Sequence, residues 1–347
     1  MTEGMTYAAS GVDIAAGDEA VERIRALTSS TSIPGVIGEI GGFGGLFAPN
    51  LTGMTDPVLV SATDGVGTKL SVARATKRWS SVGIDLVAMC VDDLVCAGAK
   101  PLFFLDYVAV GKVSPDLLAD LVSGVAEGCK QAGAALLGGE TAEHPGEMEP
   151  DAVDLAGFAV GIVDRSAMLG PDRVRSGDQL IGIASPGLRS NGYSLARAVL
   201  LDHAGLALDA PAWDGASSSV ADELLLPSVI YAKAVLAAIE IAGGGVHAVS
   251  HITGGGLAGN LIRVLPEGLY ASLRRGVLPV PRIFTEIARL GSVAQDEMDK
   301  VFNLGVGMVL AVAPDALEAV LQSLAQSGHE AALLGSVGTG SRGVEIS

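Results

Sequence analysis

The sequence predicts a two-domain enzyme of mixed strands and helices, and three observations predict it. At 347 residues, the chain exceeds the ~100–200 residues of one domain and has room for two cores. Hydrophobic residues make up 49% and glycine fills 47 positions, while aromatics are only 4%. That composition suits many tight strand–helix turns, not a disordered or fibrous chain. Finally, short apolar runs end repeatedly in glycine-rich polar turns, at Asp64-Gly65, Gly138-Gly139-Glu140 and His251-Ile252-Thr253-Gly254. Proteins of alternating strands and helices gather ligand groups at such strand ends.

The net charge of −17 comes with no dense run of lysine or arginine. A nucleic-acid surface is therefore not expected, because a phosphate backbone demands clustered cations. An anionic small ligand would need a local cation or metal against this field. Cys90, Cys96 and Cys129 lack CxxC spacing and sit in apolar stretches, as free thiols in a reducing compartment do. No basic-then-apolar start is seen, so no signal peptide is expected. Apolar runs such as Val306 to Ala313 fall far below the ~20 residues that span a bilayer. A cytoplasmic enzyme is the expectation.

A first helix is predicted from Asp18 to Ser29, with Val21, Ile24 and Leu27 on one stripe. Ile40 to Phe47 is too glycine-rich for a regular element and reads as a linker or a loop closing over a ligand. Pro57 to Val60 is a short buried strand leading into Asp64-Gly65-Val66-Gly67-Thr68-Lys69. One anion, two glycines, a hydroxyl and one cation suit a nucleoside triphosphate with Mg²⁺, although the spacing is not that of a Walker A loop. A tight turn with two exposed charges is the plainer alternative.

Gly83 to Ala97 is a buried helix stopped by Gly98. It carries Asp85, Asp92 and Asp93, which share a broad face and need a proton, a partner or a cation. Alternatively, Asp92 points outward and only Asp93 faces the core edge. Phe103 to Val110 is a strand; Ser114-Pro115 caps a helix to Ala132. Ala134 to Leu137 leads into Gly138-Gly139-Glu140-Thr141-Ala142-Glu143, whose acids could serve a site or merely favour a helix start. Val153 to Val163 is a strand, and Asp164 to Asp178 holds turn signals at a domain boundary. This divides the chain into residues 1–168 and 169–347.

In the second part, Gln179 to Ala184 is a strand, and Arg189-Ser190-Asn191-Gly192 enters a helix from Leu195 to His203. That turn could bind an anion or simply cap. Val246 to Ser250 is a strand before His251-Ile252-Thr253-Gly254-Gly255-Gly256 and Gly259. The spacing formally matches G-x-G-x-x-G, but Pro266 stops the helix and no acid follows about 20 residues on, so it is a phosphate-type turn and weak support for NAD. His251 is a phosphate ligand, a proton carrier or a satisfied core histidine. Helices in Arg282 to Phe302, a strand ending at Val312, a helix from Pro314 to Gln326 and strands near Ala331 to Val337 and Gly343 to Ile346 complete the chain.

Nine motifs in this order resemble one family over nearly the whole chain. They are Thr6-Tyr7 with Gly11-Val12-Asp13-Ile14; Gly41-Gly42-Phe43-Gly44; Thr63 to Lys69; Gly83 to Val91; Pro101 to Tyr107; Gly138 to Glu143; Ser190 to Ser194; His251 with Thr253 to Gly256; and Phe302-Asn303 with Gly305 to Met308. The chain resembles the phosphoribosylformylglycinamidine cyclo-ligases, or AIR synthetases. Three positions depart from the family pattern: Asp92 stands where Asn is more frequent, His144 where Met is usual, and Arg189 where His is also common.

The resemblance implies an α+β fold of two domains. The N-terminal domain has a mixed sheet with flanking helices that forms a barrel with a second subunit, and the C-terminal domain is an α/β sandwich. It implies a homodimer that uses ATP and Mg²⁺ to close formylglycinamidine ribonucleotide (FGAM) into aminoimidazole ribonucleotide (AIR). Asp64, Asp93 and Glu140 would hold the metal. Lys69 and the backbone of Gly65, Val66, Gly67 and Thr68 would bind ATP phosphates. Gly41, Gly42, Phe43, Gly44, Glu140 and Thr141 would meet the nucleotide. Ser190, Asn191, Gly192, His251, Thr253, Gly254, Gly255 and Gly256 would bind FGAM, and Asp64, Lys69, Asp93 and His251 form the catalytic set. Rival readings are a sister phosphoryl-transfer enzyme, a non-catalytic nucleotide sensor and, remotely, an NAD dehydrogenase.

Overall fold

The computed structural model describes residues 14–347; the motif residues Thr6, Tyr7, Gly11, Val12 and Asp13 lie outside them. The first half runs α1 (Ile14–Ser29), β1 (Val36–Ile37), β2 (Leu46–Phe47), β3 (Pro57–Gly65), α2 (Leu70–Thr76), α3 (Ser80–Cys96), β4 (Lys100–Val110), α4 (Pro115–Ala132), β5 (Ala135–Glu143) and β6 (Val153–Asp164). Its sheet has the order β3-β6-β4-β5, with β4 and β5 parallel and the other pairs antiparallel. This is the expected mixed sheet.

Helix α4 starts as read: Ser114 Oγ accepts from Leu117 N–H, Pro115 occupies the first turn, and Gly133 closes the helix at φ 75°. Beside it and running in the same direction lies α3, with Ser80 against Gly124 and Val87 against Gly128; α3 is apolar on nearly every side. Val82, Leu86, Val87, Met89, Cys90, Val91, Leu94 and Val95 are all buried, each contributing about 1.5–3 kcal/mol if large. The two helices approach backbone to backbone at Gly83 and Gly124. A Cβ on Gly124 would stand 1.8 Å from Ser80 O, so only glycine fits there. The cysteines are free; Cys90 and Cys129 are buried and Cys96 partly so.

The second half runs β7 (Gln179–Ala184), α5 (Tyr193–Arg197), α6 (Val220–Leu224), α7 (Ala232–Ile241), β8 (Val246–His251), α8 (Gly256–Leu261), β9 (Leu269–Leu273), α9 (Arg282–Gly291), α10 (Gln295–Val301), β10 (Val306–Val312), α11 (Leu317–Gln326), β11 (Ala331–Thr339) and β12 (Gly343–Ile346). Its sheet order is β12-β9-β11-β7-β10-β8, antiparallel except for β12 beside β9. The helix expected from Leu195 to His203 is instead a short α5 followed by a wider π-type turn over Ala198–His203.

Helices α3 and α4 cover one face of the first sheet. The other face leaves Leu59 65%, Tyr107 42% and Phe158 39% exposed. Among the described residues the β1–β2 ribbon leans over it, with Phe47 and Phe103 rings 5.7 Å apart.

Candidate active site

Two elements of the first half and two turns of the second build the site where the halves meet. Asp64 ends β3 on the sheet face that α3 covers, and its Oδ1 accepts its neighbour's Gly65 N–H at 2.7 Å. Burial raises its carboxyl above the usual range; the Asp93 charge adds to that and His251 opposes it. Asp64, Asp93 and His251 therefore share one electrostatic neighbourhood. Asp93 is half exposed and faces the cleft, with His251 Nδ1 2.8 Å from its Oδ1.

Asp92, its chain neighbour, does the opposite of pointing outward. It is fully buried, 2.7 Å from Arg189 Nη2, and accepts Tyr231 N–H at 2.9 Å on its other oxygen. Arg189 also donates to Val229 O at 2.9 Å, lies 3.0 Å from His251 Nε2, and rests on the Tyr231 ring at 4.9 Å. Arg189 is thus committed inside the protein and does not serve the anion site read into Arg189–Asn191. The adjacent Ser190 hydroxyl is buried without a hydrogen-bond partner, and Asn191 lies against Met89 and Gly254.

Lys69 requires a correction. Its ammonium is fully buried, 2.5 Å from Asp85 Oδ2, and donates to Arg189 O at 3.1 Å and Leu226 O at 2.7 Å. All three of its donors are taken. Burial pulls it below the usual lysine range, against the Asp85 carboxylate. Asp85 Oδ1 in turn accepts the Ser228 amide and hydroxyl. Lys69 is a strut joining the two halves, not a phosphate ligand. The loop before it stays on the surface at Gly67 and Thr68, where Thr68 Oγ1 lies 3.2 Å from Ser194 Oγ.

Glu140 is a second correction. Across the sheet, Gly65 pairs with Ala156, Ala156 with Tyr107 and Tyr107 with Glu140, three strand spacings or about 14 Å. Side chains alternate along a strand, so Glu140 faces the open side with Tyr107, while Asp64 faces α3. Within one chain Glu140 cannot join Asp64 and Asp93, and no group of three His, Cys, Asp or Glu is assembled for a metal among the described residues. Glu140 instead lies with Thr141 on the exposed end of β5, which the Gly41–Gly45 loop approaches so closely that a Cβ on Gly45 would meet Leu137 at 2.5 Å.

The second-half turn is held from within. Asn260 Nδ2 donates to Thr253 O, Gly254 O and Gly256 O, and Gly255 and Gly256 have φ 100° and 64°, which only glycine adopts freely. Gly256 also has no room for a side chain: a Cβ would be 1.8 Å from Asp299 O.

Two family models match the chain, "AIR synthase related protein, N-terminal domain" over residues 51–163 and "AIR synthase related protein, C-terminal domain" over residues 175–346. A phosphoribosylformylglycinamidine cyclo-ligase of Sorangium cellulosum is 52% identical over 334 residues, which is 96% of this chain and 95% of that protein. The chain belongs to the phosphoribosylformylglycinamidine cyclo-ligase family. The cyclo-ligase of Trichlorobacter lovleyi is 49% identical over 96% of this chain and 94% of its own. The cyclo-ligase fold extends to more distant proteins. A thiamine-monophosphate kinase from Stenotrophomonas maltophilia aligns with TM-score 0.66 at 20% identity, covering 94% of this chain and 95% of its own. The hydrogenase maturation protein HypE in complex with ATP aligns with TM-score 0.63 at 18% identity, covering 94% and 91%.

For this cyclo-ligase family member, sequence reading missed Ser228 and Tyr231, which hold Asp85 and Asp92. Pro227 and the β-branched Val229-Ile230 were the available signal, marking an extended segment. It also passed over Asp106, whose carboxyl lies under Gly139, where a Cβ would come 1.7 Å from Oδ1. Burial pushes Asp106 up to about 7. An acid raised on folding stabilises the fold most below its unfolded value, and that contribution fades as pH rises through about 7. Asp106→Asn is therefore expected to flatten the decline in unfolding free energy between about pH 4 and 7, a slope of at most ~1.4 kcal/mol per pH unit. Urea unfolding across that range measures it, and parallel curves for the two proteins would contradict it.

Proposed function

We propose that the protein closes FGAM to AIR, converting ATP to ADP and phosphate, in de novo purine biosynthesis. The observation that carries this reading is near-full-length identity of about half to cyclo-ligases, together with Asp64, Asp93 and His251, which opens the second-half glycine turn, sharing one electrostatic neighbourhood. The γ-phosphoryl passes to the formyl amide oxygen, giving an iminophosphate and ADP. Attack by the ring-forming nitrogen then makes the C–N bond and expels phosphate. This chemistry asks a protein for orientation and charge placement more than for a nucleophile.

Asp64 and Asp93 fit Mg²⁺, which is commonly held by one or two carboxylates plus substrate phosphates. Each raises the need for a cation beside the other. Mg²⁺ would supply neutralisation of phosphate charge. Residues 1–168 carry the ATP side, with the Gly67–Thr68 backbone, Gly41–Gly44, Glu140 and Thr141 flanking the nucleotide. Residues 169–347 carry the FGAM side, with Ser190, Asn191, Gly192 and Thr253 to Gly256. The unpartnered Ser190 hydroxyl supports that assignment.

We also propose a homodimer in which two copies of the four-stranded sheet close into a barrel over Leu59, Tyr107 and Phe158. Exposed apolar area of this kind on a sheet face marks an interface. Phe158→Asp should shift the protein to monomer in sedimentation and lower activity; an unchanged dimer would count against this face.

Incubation with FGAM, ATP and Mg²⁺, following ADP and aminoimidazole together, tests the reaction. Both products are expected. ADP without aminoimidazole would point to a sister phosphoryl-transfer enzyme, and neither product to a nucleotide sensor.

A further inference from the structure

Asp92 of the first half and Arg189 of the second face each other in the core between them. We propose that Asp92 and Arg189 act as one positioning unit that fixes the tautomer and aim of His251 and, through it, of Asp93. The inference deepens the cyclo-ligase reading and rests on it for its catalytic consequence.

The geometry is a line of contacts from the inter-domain core to the cleft. Asp92 and the Arg189 side chain are 0% and 1% exposed and lie 2.7 Å apart. Neither charge reaches water, so each is the other's compensation. Arg189 has donors and no acceptor. Its Nη2, 3.0 Å from His251 Nε2, therefore makes Nε2 the acceptor nitrogen. The ring proton then belongs on Nδ1, where it is donated to Asp93 Oδ1 at 2.8 Å. One oxygen of Asp93 is thereby occupied, and the half-exposed carboxylate is turned with its other oxygen toward the cleft.

Two further features hold the unit still. Tyr231 contributes its N–H to Asp92 and its ring to the guanidinium. Arg189 sits at φ 63°, a left-handed conformation unfavourable for a residue with a Cβ, which persists only where surroundings over-determine it. The same backbone places Ser190 and Asn191 in the next two positions, so the unit reaches both sides of the site. It aims a carboxylate on the ATP side and a turn on the FGAM side.

The tautomer can be read without turnover. In a long-range ¹H–¹⁵N spectrum of the labelled protein, His251 is one of five histidines and is assigned by its disappearance in His251→Gln. Its Nε2 is expected to be unprotonated and its Nδ1 protonated; the reverse tautomer in the unaltered protein would overturn the proposal. This arm holds whatever the substrate proves to be, so it separates failure of the unit from failure of the functional reading.

A double-mutant cycle in the full-length protein gives the second arm. Asp92→Asn and Arg189→His each leave one buried charge unpaired and are expected to lower kcat at least tenfold. The combined, neutral variant should recover part of that loss and lie nearer the unaltered protein than either single change. Multiplicative losses in the double variant would overturn the coupling. The single variants should also disturb the His251 signals. A fall in melting temperature with kcat, KM and those signals unchanged would assign the pair a structural role only.

Discussion

Lys69→Met is expected to lower the unfolding free energy by about 3–5 kcal/mol, because it leaves the buried Asp85 carboxylate without its cation. Lys69 and Asp85 are both fully buried and 2.5 Å apart, and the same ammonium satisfies two carbonyls of the second half. The loss should therefore exceed that of any surface charge change, where pairs are worth about 0–1 kcal/mol. Adding Asp85→Leu to Lys69→Met should restore part of the stability, since a well-packed apolar pair can replace a buried ion pair. Urea denaturation of the two variants beside the unaltered protein measures this. For protein that remains folded, the KM for ATP should change little. A large rise in that KM with an unaltered unfolding curve would return Lys69 to the phosphates.

Asp64→Asn is expected to have the opposite profile. The carboxylate is partly exposed at the mouth of the site and its main internal contact is the Gly65 amide, which an asparagine oxygen can also accept. The fold should keep its melting temperature. Turnover should fall by about a hundredfold or more, the scale on which loss of one preorganised electrostatic group acts. Mg²⁺ titrations of the residual activity should shift to higher concentration. Near-normal turnover would remove Asp64 from the metal assignment.

The comparison of these two residues shows where sequence reading reached and where it stopped. Periodicity and capping residues located most helices and strands. Ser114-Pro115 and Gly133, for instance, bracket α4 by rules that operate within a few residues of chain. Glycine turns were legible for the same reason, since a left-handed backbone is a local demand. What could not be read locally was direction. Asp92 and Asp93 are neighbours, yet one is sealed in the core and the other opens on the cleft, and only the packing of α3 against β8 and the 228–231 segment decides which. Lys69 looked like a phosphate cation because a glycine loop precedes it. The turn Gly67–Lys69 rotates it inward toward Asp85, sixteen residues later on α3. Glu140 is kept from Asp64 and Asp93 of its own chain for a different reason: strand register and side-chain alternation, set by pairing across four strands, put it on the far face. The β1–β2 ribbon escaped notice because its strands are two residues long, shorter than any periodic signal.

The two buried ion pairs have a consequence for how this gene can change. Asp85 and Asp92 belong to the first half, Lys69 among them, while Arg189 and the carbonyls and amides that complete both pairs belong to the second. A crossover between the halves of two relatives would separate Asp92 from Arg189, leaving a charge beside a neutral residue in a sealed environment. Chimeras joined anywhere between residues 92 and 189 draw the two positions from different parents, and should then function only when both parents carry a matching pair there.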